Sequence, residues 1–105
     1  MDVDFAARLG ADEVGARLGP SWRFELTERL VDNGKTTEDL AGVAVRNAEG
    51  GGVIAVWQPI AESLPVHAFL RVVLHEIAHG LDASPEGGHG PDWERIYLEL
   101  TVGLE

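Results

Sequence analysis

Residues 22–30, WRFELTERL, show the clearest pattern in the chain, an alternation of apolar and polar side chains. The apolar positions are Trp22, Phe24, Leu26 and Leu30. Because successive side chains of a strand point to opposite faces of a sheet, the alternation predicts a strand with one buried face. The following 32–34, Asp-Asn-Gly, predicts a turn, and the polar residues 35–39 predict a loop.

Two later apolar runs also predict strands. They cover residues 41–47, AGVAVRN, and 53–57, VIAVW. Three consecutive glycines at 50–52 lie between them and favour a hairpin. Pro59 prevents the second run from continuing as a strand, because proline cannot donate a main-chain hydrogen bond. Together with 22–30, these runs predict a three-stranded, mostly antiparallel sheet.

The first helix is predicted over residues 3–18. Asp2 or Asp4 is suited to cap its start, and a partial apolar face runs along it. Gly10 and Gly15 are unfavourable inside a helix and weaken the pattern. The pair Gly19-Pro20 ends the segment.

Two more helices are predicted in the second half of the chain. Ser63 and Pro65 mark the start of one that is apolar on nearly all sides, as expected of a buried central helix. Pro91 suits the first turn of a last helix. The apolar face of that helix is formed by Trp93, Ile96 and Leu100. The order of helix, three strands, buried helix and final helix predicts an α+β fold.

Length and charge narrow the functional classes. A chain of 105 residues predicts one domain over 1–105, in which the closing Leu104-Glu105 is typical of an expression-vector remnant. Eight basic residues face eighteen acidic ones, a formal charge of −10, so no nucleic-acid partner is expected. The chain has no cysteine, no signal-peptide pattern and no run long enough to span a membrane. A cytoplasmic location is expected.

The candidate chemistry is concentrated in residues 74–92, LHEIAHGLDASPEGGHGPD. His75, Glu76 and His79 have the spacing H-E-x-x-H within the apolar helix. Residues four apart on a helix share a face, so both imidazoles can bind one zinc ion. Glu76 lies one step round the helix, where its carboxylate can serve as general base for a water on the metal.

A third ligand is needed, because catalytic zinc usually has three protein ligands and one open position. Glycines and prolines after His79 allow the chain to turn back, and His89 is the expected third ligand. Glu94 or Glu99 on the last helix is the alternative. His67 is two turns from His75, too far to share its metal.

HEIAH followed by HGPDW resembles the SprT-like zinc metallopeptidases, which have the zincin fold. The residues that match their signature are His75, Glu76, His79, His89, Gly90 and Trp93. The resemblance is specific over 75–93 and upstream covers only the order of elements. It implies a zincin-like, zinc-dependent peptidase that acts on peptides or proteins, binds one Zn²⁺ per chain and uses Glu76 as general base. It also implies that Val53–Trp57 is an edge strand that pairs with the substrate.

Other functions remain open at this stage. The zincin-like domain can be a catalytically silent zinc-binding interaction module, although such a module has no need of Glu76. It can also be a zinc hydrolase of a non-peptide substrate. Tyr97 reaches the site only if the last helix folds back, and a packing or surface role is expected for it. The acidity of residues 47–105 favours substrates with basic residues near the cleaved bond.

Overall fold

The computed structural model describes residues 1–28, 41–82 and 89–104, and within these the fold is α+β. It contains helices α1 (Val3–Leu18), α2 (Gln58–Ser63), α3 (Val66–Leu81) and α4 (Pro91–Thr101), a 3₁₀ turn (Val102–Leu104), and strands β1 (Trp22–Thr27), β2 (Gly42–Arg46) and β3 (Gly52–Trp57). The predicted helices at 3–18, after Pro65 and from Pro91 are therefore confirmed. The predicted extension of the first strand to Leu30, the turn at 32–34 and the loop at 35–39 lie outside the described residues.

The sheet is mixed, and its strand order is β1-β3-β2. β3 pairs antiparallel with β2 and parallel with β1. The prediction of a mostly antiparallel sheet is therefore wrong for one of its two pairs. The expectation that Val53–Trp57 forms an edge is also wrong, because β3 is the central strand. Its side chains at Ile54, Ala55 and Val56 are all buried, so both of its faces are covered.

Helices α1 and α3 cover one face of this sheet. The apolar side of β1 faces them, with Trp22 buried and Phe24 half-buried, as the alternation predicts. The glycine at position 10 of α1 has a packing reason. A methyl group there would collide with the ring of Phe24. Asp2 caps the helix by accepting a hydrogen bond from the N–H of Phe5 at 3.3 Å.

Helix α3 lies at the centre of the molecule and contacts α1, α4, β2 and β3. Phe69, Val73 and Ile77 are fully buried in the main apolar cluster. Each such side chain contributes about 1.5–3 kcal/mol through removal of its surface from water. A buried scaffold of this kind holds the histidines of its second half in fixed positions. Among the described residues, no helix is long and apolar enough to cross a membrane.

The connection from β2 to β3 is tight. The side chain of Asn47 accepts hydrogen bonds from the N–H groups of Glu49 and Gly51, at 3.0 and 2.9 Å. Gly50 has a φ of 89°, in the left-handed region that glycine adopts at little cost. The predicted hairpin at 50–52 is therefore confirmed.

Candidate metal centre

His75 and His79 lie on the same face of α3, one turn apart. Their ring centroids are 5.1 Å apart, and both side chains are partly exposed to solvent. This arrangement follows from the four-residue spacing, because a helix places residues i and i+4 side by side.

His89 joins the pair from the segment that leads into α4. Its Nε2 lies 3.1 Å from the Nε2 of His75 and 3.1 Å from the Nε2 of His79. The three candidate ligand atoms all lie within 4.8 Å of one another, close enough to bind one metal ion. With Zn–N bonds of about 2.0–2.1 Å, a tetrahedral site places two nitrogens about 3.3–3.4 Å apart. The two distances from His89 are therefore close to those in a site with such bond lengths.

Two of the three rings favour the neutral form that metal binding requires, because the pKa of both His75 and His79 is lowered. Burial lowers the pKa of His75 to about 4, with smaller contributions from His79 and His89. Burial and His89 also lower the pKa of His79, against an opposing effect of the Asp82 carboxylate. A neutral imidazole presents a free lone pair, so protons compete weakly with a metal for these nitrogens.

Glu76 lies beside the three histidines without belonging to the group of candidate ligands. Its side chain is buried, and its Oε2 is 4.0 Å from the Nε2 of His75. Gly42 of β2 lies directly against it, because a Cβ at that position would be 3.1 Å from Cγ of Glu76 and 3.3 Å from its Oε2. The carboxylate is therefore held between α3 and β2, next to the candidate metal position.

Trp93 of α4 packs against all three histidine rings. Its ring centroid is 4.8 Å from that of His75, 5.3 Å from His79 and 4.3 Å from His89. The indole N–H also donates to the main-chain oxygen of His75 at 3.3 Å. Sequence reasoning placed Trp93 on the buried face of α4 but missed its contact with the ligand rings. One turn further along α4, Tyr97 stacks on the indole with centroids 5.0 Å apart and lies 5.9 Å from the ring of His75.

The alternative third ligands lie elsewhere. Glu94 and Glu99 are both exposed on α4, and Glu99 is 3.7 Å from the Arg95 guanidinium. Neither belongs to the group of candidate ligands found among the described residues. His67 is exposed in the first turn of α3, apart from the three clustered histidines.

Arg46 is a neighbour of the site that sequence reasoning missed. It reaches from the end of β2 to the C-terminal end of α3, where its Nη2 donates to three main-chain oxygens. These belong to His79 at 3.2 Å, Gly80 at 2.9 Å and Asp82 at 3.0 Å. No sequence motif signals this contact, because it joins residues 33 to 36 positions apart.

Three histidines from two segments, a buried carboxylate beside them and an aromatic pair behind them form the candidate centre. The predicted ligands His75, His79 and His89 are brought together, and Glu76 lies next to them. Comparison of the chain with family models, with curated proteins and with solved structures gave no match.

Proposed function

We propose that the protein is a zinc-dependent peptidase of the zincin type. The observation that carries the proposal is the combination of three converging histidine Nε2 atoms with a buried carboxylate 4.0 Å from one of them. A purely structural zinc site needs the ligands but has no use for an adjacent buried carboxylate. The resemblance of HEIAH and HGPDW to the SprT-like metallopeptidases supports the same function.

The role of each residue in the proposed reaction follows from its chemical type. His75, His79 and His89 would hold the metal, whose chemistry when bound is to polarise a carbonyl and lower the pKa of a water. Glu76 accepts the proton that this water gives up as it attacks the peptide carbonyl. The same carboxyl group then delivers the proton to the departing amine. The aromatic ring of Trp93 excludes water from one side of the histidines and holds their rings in place.

The substrate strand would bind to β2 rather than to β3. Trp57 donates its N–H to the oxygen of Ala41, and Asn47 donates to Gly51, both at 2.9 Å. Main-chain groups alternate in direction along an antiparallel strand, so those of Gly42, Ala44 and Arg46 point away from β3.

Among the described residues, no strand pairs with this edge of β2. Its unpaired N–H and C=O groups can hold an extended peptide by strand addition. Gly42 at its start lies against Glu76, so a peptide on this edge would pass the proposed base. The net charge of −10 favours peptides with basic residues near the cleaved bond.

The test compares the wild type with Glu76→Gln, using zinc analysis and a screen of mixed quenched-fluorescent peptides. Both proteins should hold one zinc per chain, because the ligands are unchanged. Cleavage should fall by about 10²–10⁴-fold in the variant, the usual effect of losing a general acid–base. Glu94→Gln is the matched control, since it removes an exposed carboxylate five residues after His89 in the sequence and should cleave like the wild type. Equal cleavage by the wild type and Glu76→Gln would exclude Glu76 as the base.

A further inference from the structure

The end of α3 has an unusual cap. A helix ends with four main-chain oxygens that lack partners within the helix, and its dipole makes this end negative. Here two of the last helical residues, His79 and Gly80, and the flanking Asp82 all direct their oxygens at one Nη2 of Arg46. The cation thus satisfies polar groups that would otherwise need water and opposes the charge of the helix end.

The location of this cap matters for the metal centre. His79 is itself one of the candidate ligands, and Asp82 is the residue that ends α3. Arg46 therefore fixes the main chain at one candidate ligand and at the end of the helix that carries it. Asp82 is also buried, so this end of the helix is enclosed by its neighbours.

Arg46 is in turn held by the sheet. It pairs with Gly52 in the β2–β3 ladder, and its guanidinium carbon lies 5.9 Å from the centre of the Trp22 ring. Gly80 packs so closely here that an added Cβ would be 3.3 Å from the Trp22 ring and 3.2 Å from Leu18. The sheet, Arg46 and the end of α3 thus form a continuous connection.

We propose that Arg46 is a positioning residue of the metal centre, which sets the placement of His79 at the C-terminal end of α3. The inference rests on the zinc site of the proposed function. A positioning residue of this kind acts on how tightly and in what geometry the metal is bound. Loss of a residue that orients metal ligands typically weakens metal binding by about 10–100-fold.

The experiment measures zinc affinity by competition with a chromophoric chelator in the wild type, Arg46→Met, Arg46→Gln and Arg46→Lys. The visible absorption spectrum of each Co²⁺-loaded protein reports the ligand geometry. Arg23→Met is the matched control, since it removes an exposed arginine from β1. Thermal unfolding of the zinc-free proteins measures the structural contribution of each side chain separately.

Arg46→Met should weaken zinc binding by about 10-fold or more and change the Co²⁺ spectrum. If the Met variant does not fold, Arg46→Gln replaces it in the test and should show the same two changes. Arg46→Lys should recover most of the affinity, because an ammonium carries three N–H donors for the three oxygens. Arg23→Met should match the wild type in both measurements. Wild-type zinc affinity and a wild-type Co²⁺ spectrum in a folded Arg46→Met or Arg46→Gln protein would overturn the role of Arg46 but not the proposed function. Absence of zinc binding by the wild type would instead overturn the proposed function.

Discussion

Replacement of Gly42 by alanine tests whether the position of Glu76 controls turnover. Gly42 lies in β2 with its Cα facing the Glu76 side chain, and its φ is not in the left-handed region. Alanine can therefore adopt the same main-chain conformation, and the only new element is one methyl group. That methyl would lie 3.1 Å from Cγ and 3.3 Å from Oε2 of Glu76.

The distances around the added methyl group determine how far Glu76 must move and how much kcat/KM should fall. Ordinary contacts between such atoms begin at about 3.5 Å, so the neighbours of the methyl must move by a few tenths of an ångström. The third close atom is the main-chain oxygen of Ala55, at 3.0 Å, which belongs to the paired central strand and cannot rotate away as a side chain can. The Glu76 side chain has to move instead. Since a misplacement of about 1 Å can cost about 10²-fold in rate, we expect kcat/KM to fall by about 10-fold.

The assay compares cleavage of a quenched-fluorescent peptide by the wild type, Gly42→Ala and Gly15→Ala, together with the zinc content of each. Gly42→Ala should keep one zinc per chain, because no histidine is touched, and the added methyl should cost about 1–3 kcal/mol of stability. Gly15→Ala is the control, as an added Cβ there meets no atom within 4 Å. Wild-type kcat/KM in Gly42→Ala would refute the view that Gly42 holds the carboxylate in position.

Three further predictions concern the histidines and their surroundings. His89→Ala should lose most of its zinc, whereas Glu94→Ala should retain it; the reverse result, measured by metal analysis, would assign the third ligand to Glu94. In the zinc-free protein the lowered pKa of His75, about 4 against 6.5 unfolded, means that the unfolded state takes up more protons between these values. The contribution of His75 to stability is thus complete above pH 6.5 and lost as pH falls toward 4, so urea midpoints of the wild type should fall more over this interval than those of His75→Ala. Trp93→Phe removes the 3.3 Å hydrogen bond to His75 and part of the ring contact. It should lower the free energy of unfolding by about 1–2 kcal/mol in chemical denaturation. An unchanged free energy of unfolding would show that the indole does not support the site.

The cluster of candidate metal ligands was predictable because their placement is local. The i,i+4 rule fixes His75 and His79 once the segment is known to be helical, and His89 follows within the same short stretch. Gly42 and Arg46 were not predictable as neighbours of the site. Both lie more than thirty residues before the atoms they contact, and only the packing of β2 against α3 brings them there.

The pairing of the strands in the sheet also could not be predicted from local sequence. Hydrophobic alternation identifies strands such as β1, but it does not state which strands become neighbours. The apolar run 53–57 carried a signal for a central strand, since a strand buried on both faces has no polar side to alternate with. The helix α2 (Gln58–Ser63) was missed because its six residues are too few for a helical period. Pro59 indicated only the end of a strand, although proline suits the first turn of a helix equally well.

The strand order also implies an order of assembly. Arg46 pairs with Gly52 at a sequence separation of 6, whereas Trp22 pairs with the same Gly52 at a separation of 30. Closing the longer loop costs about 1.4 kcal/mol more in chain entropy. The β2–β3 hairpin should therefore form early in folding, and β1 should join it later. Because Gly42 and Arg46 both belong to that hairpin, the surface that receives α3 and its histidines should exist before the sheet is complete.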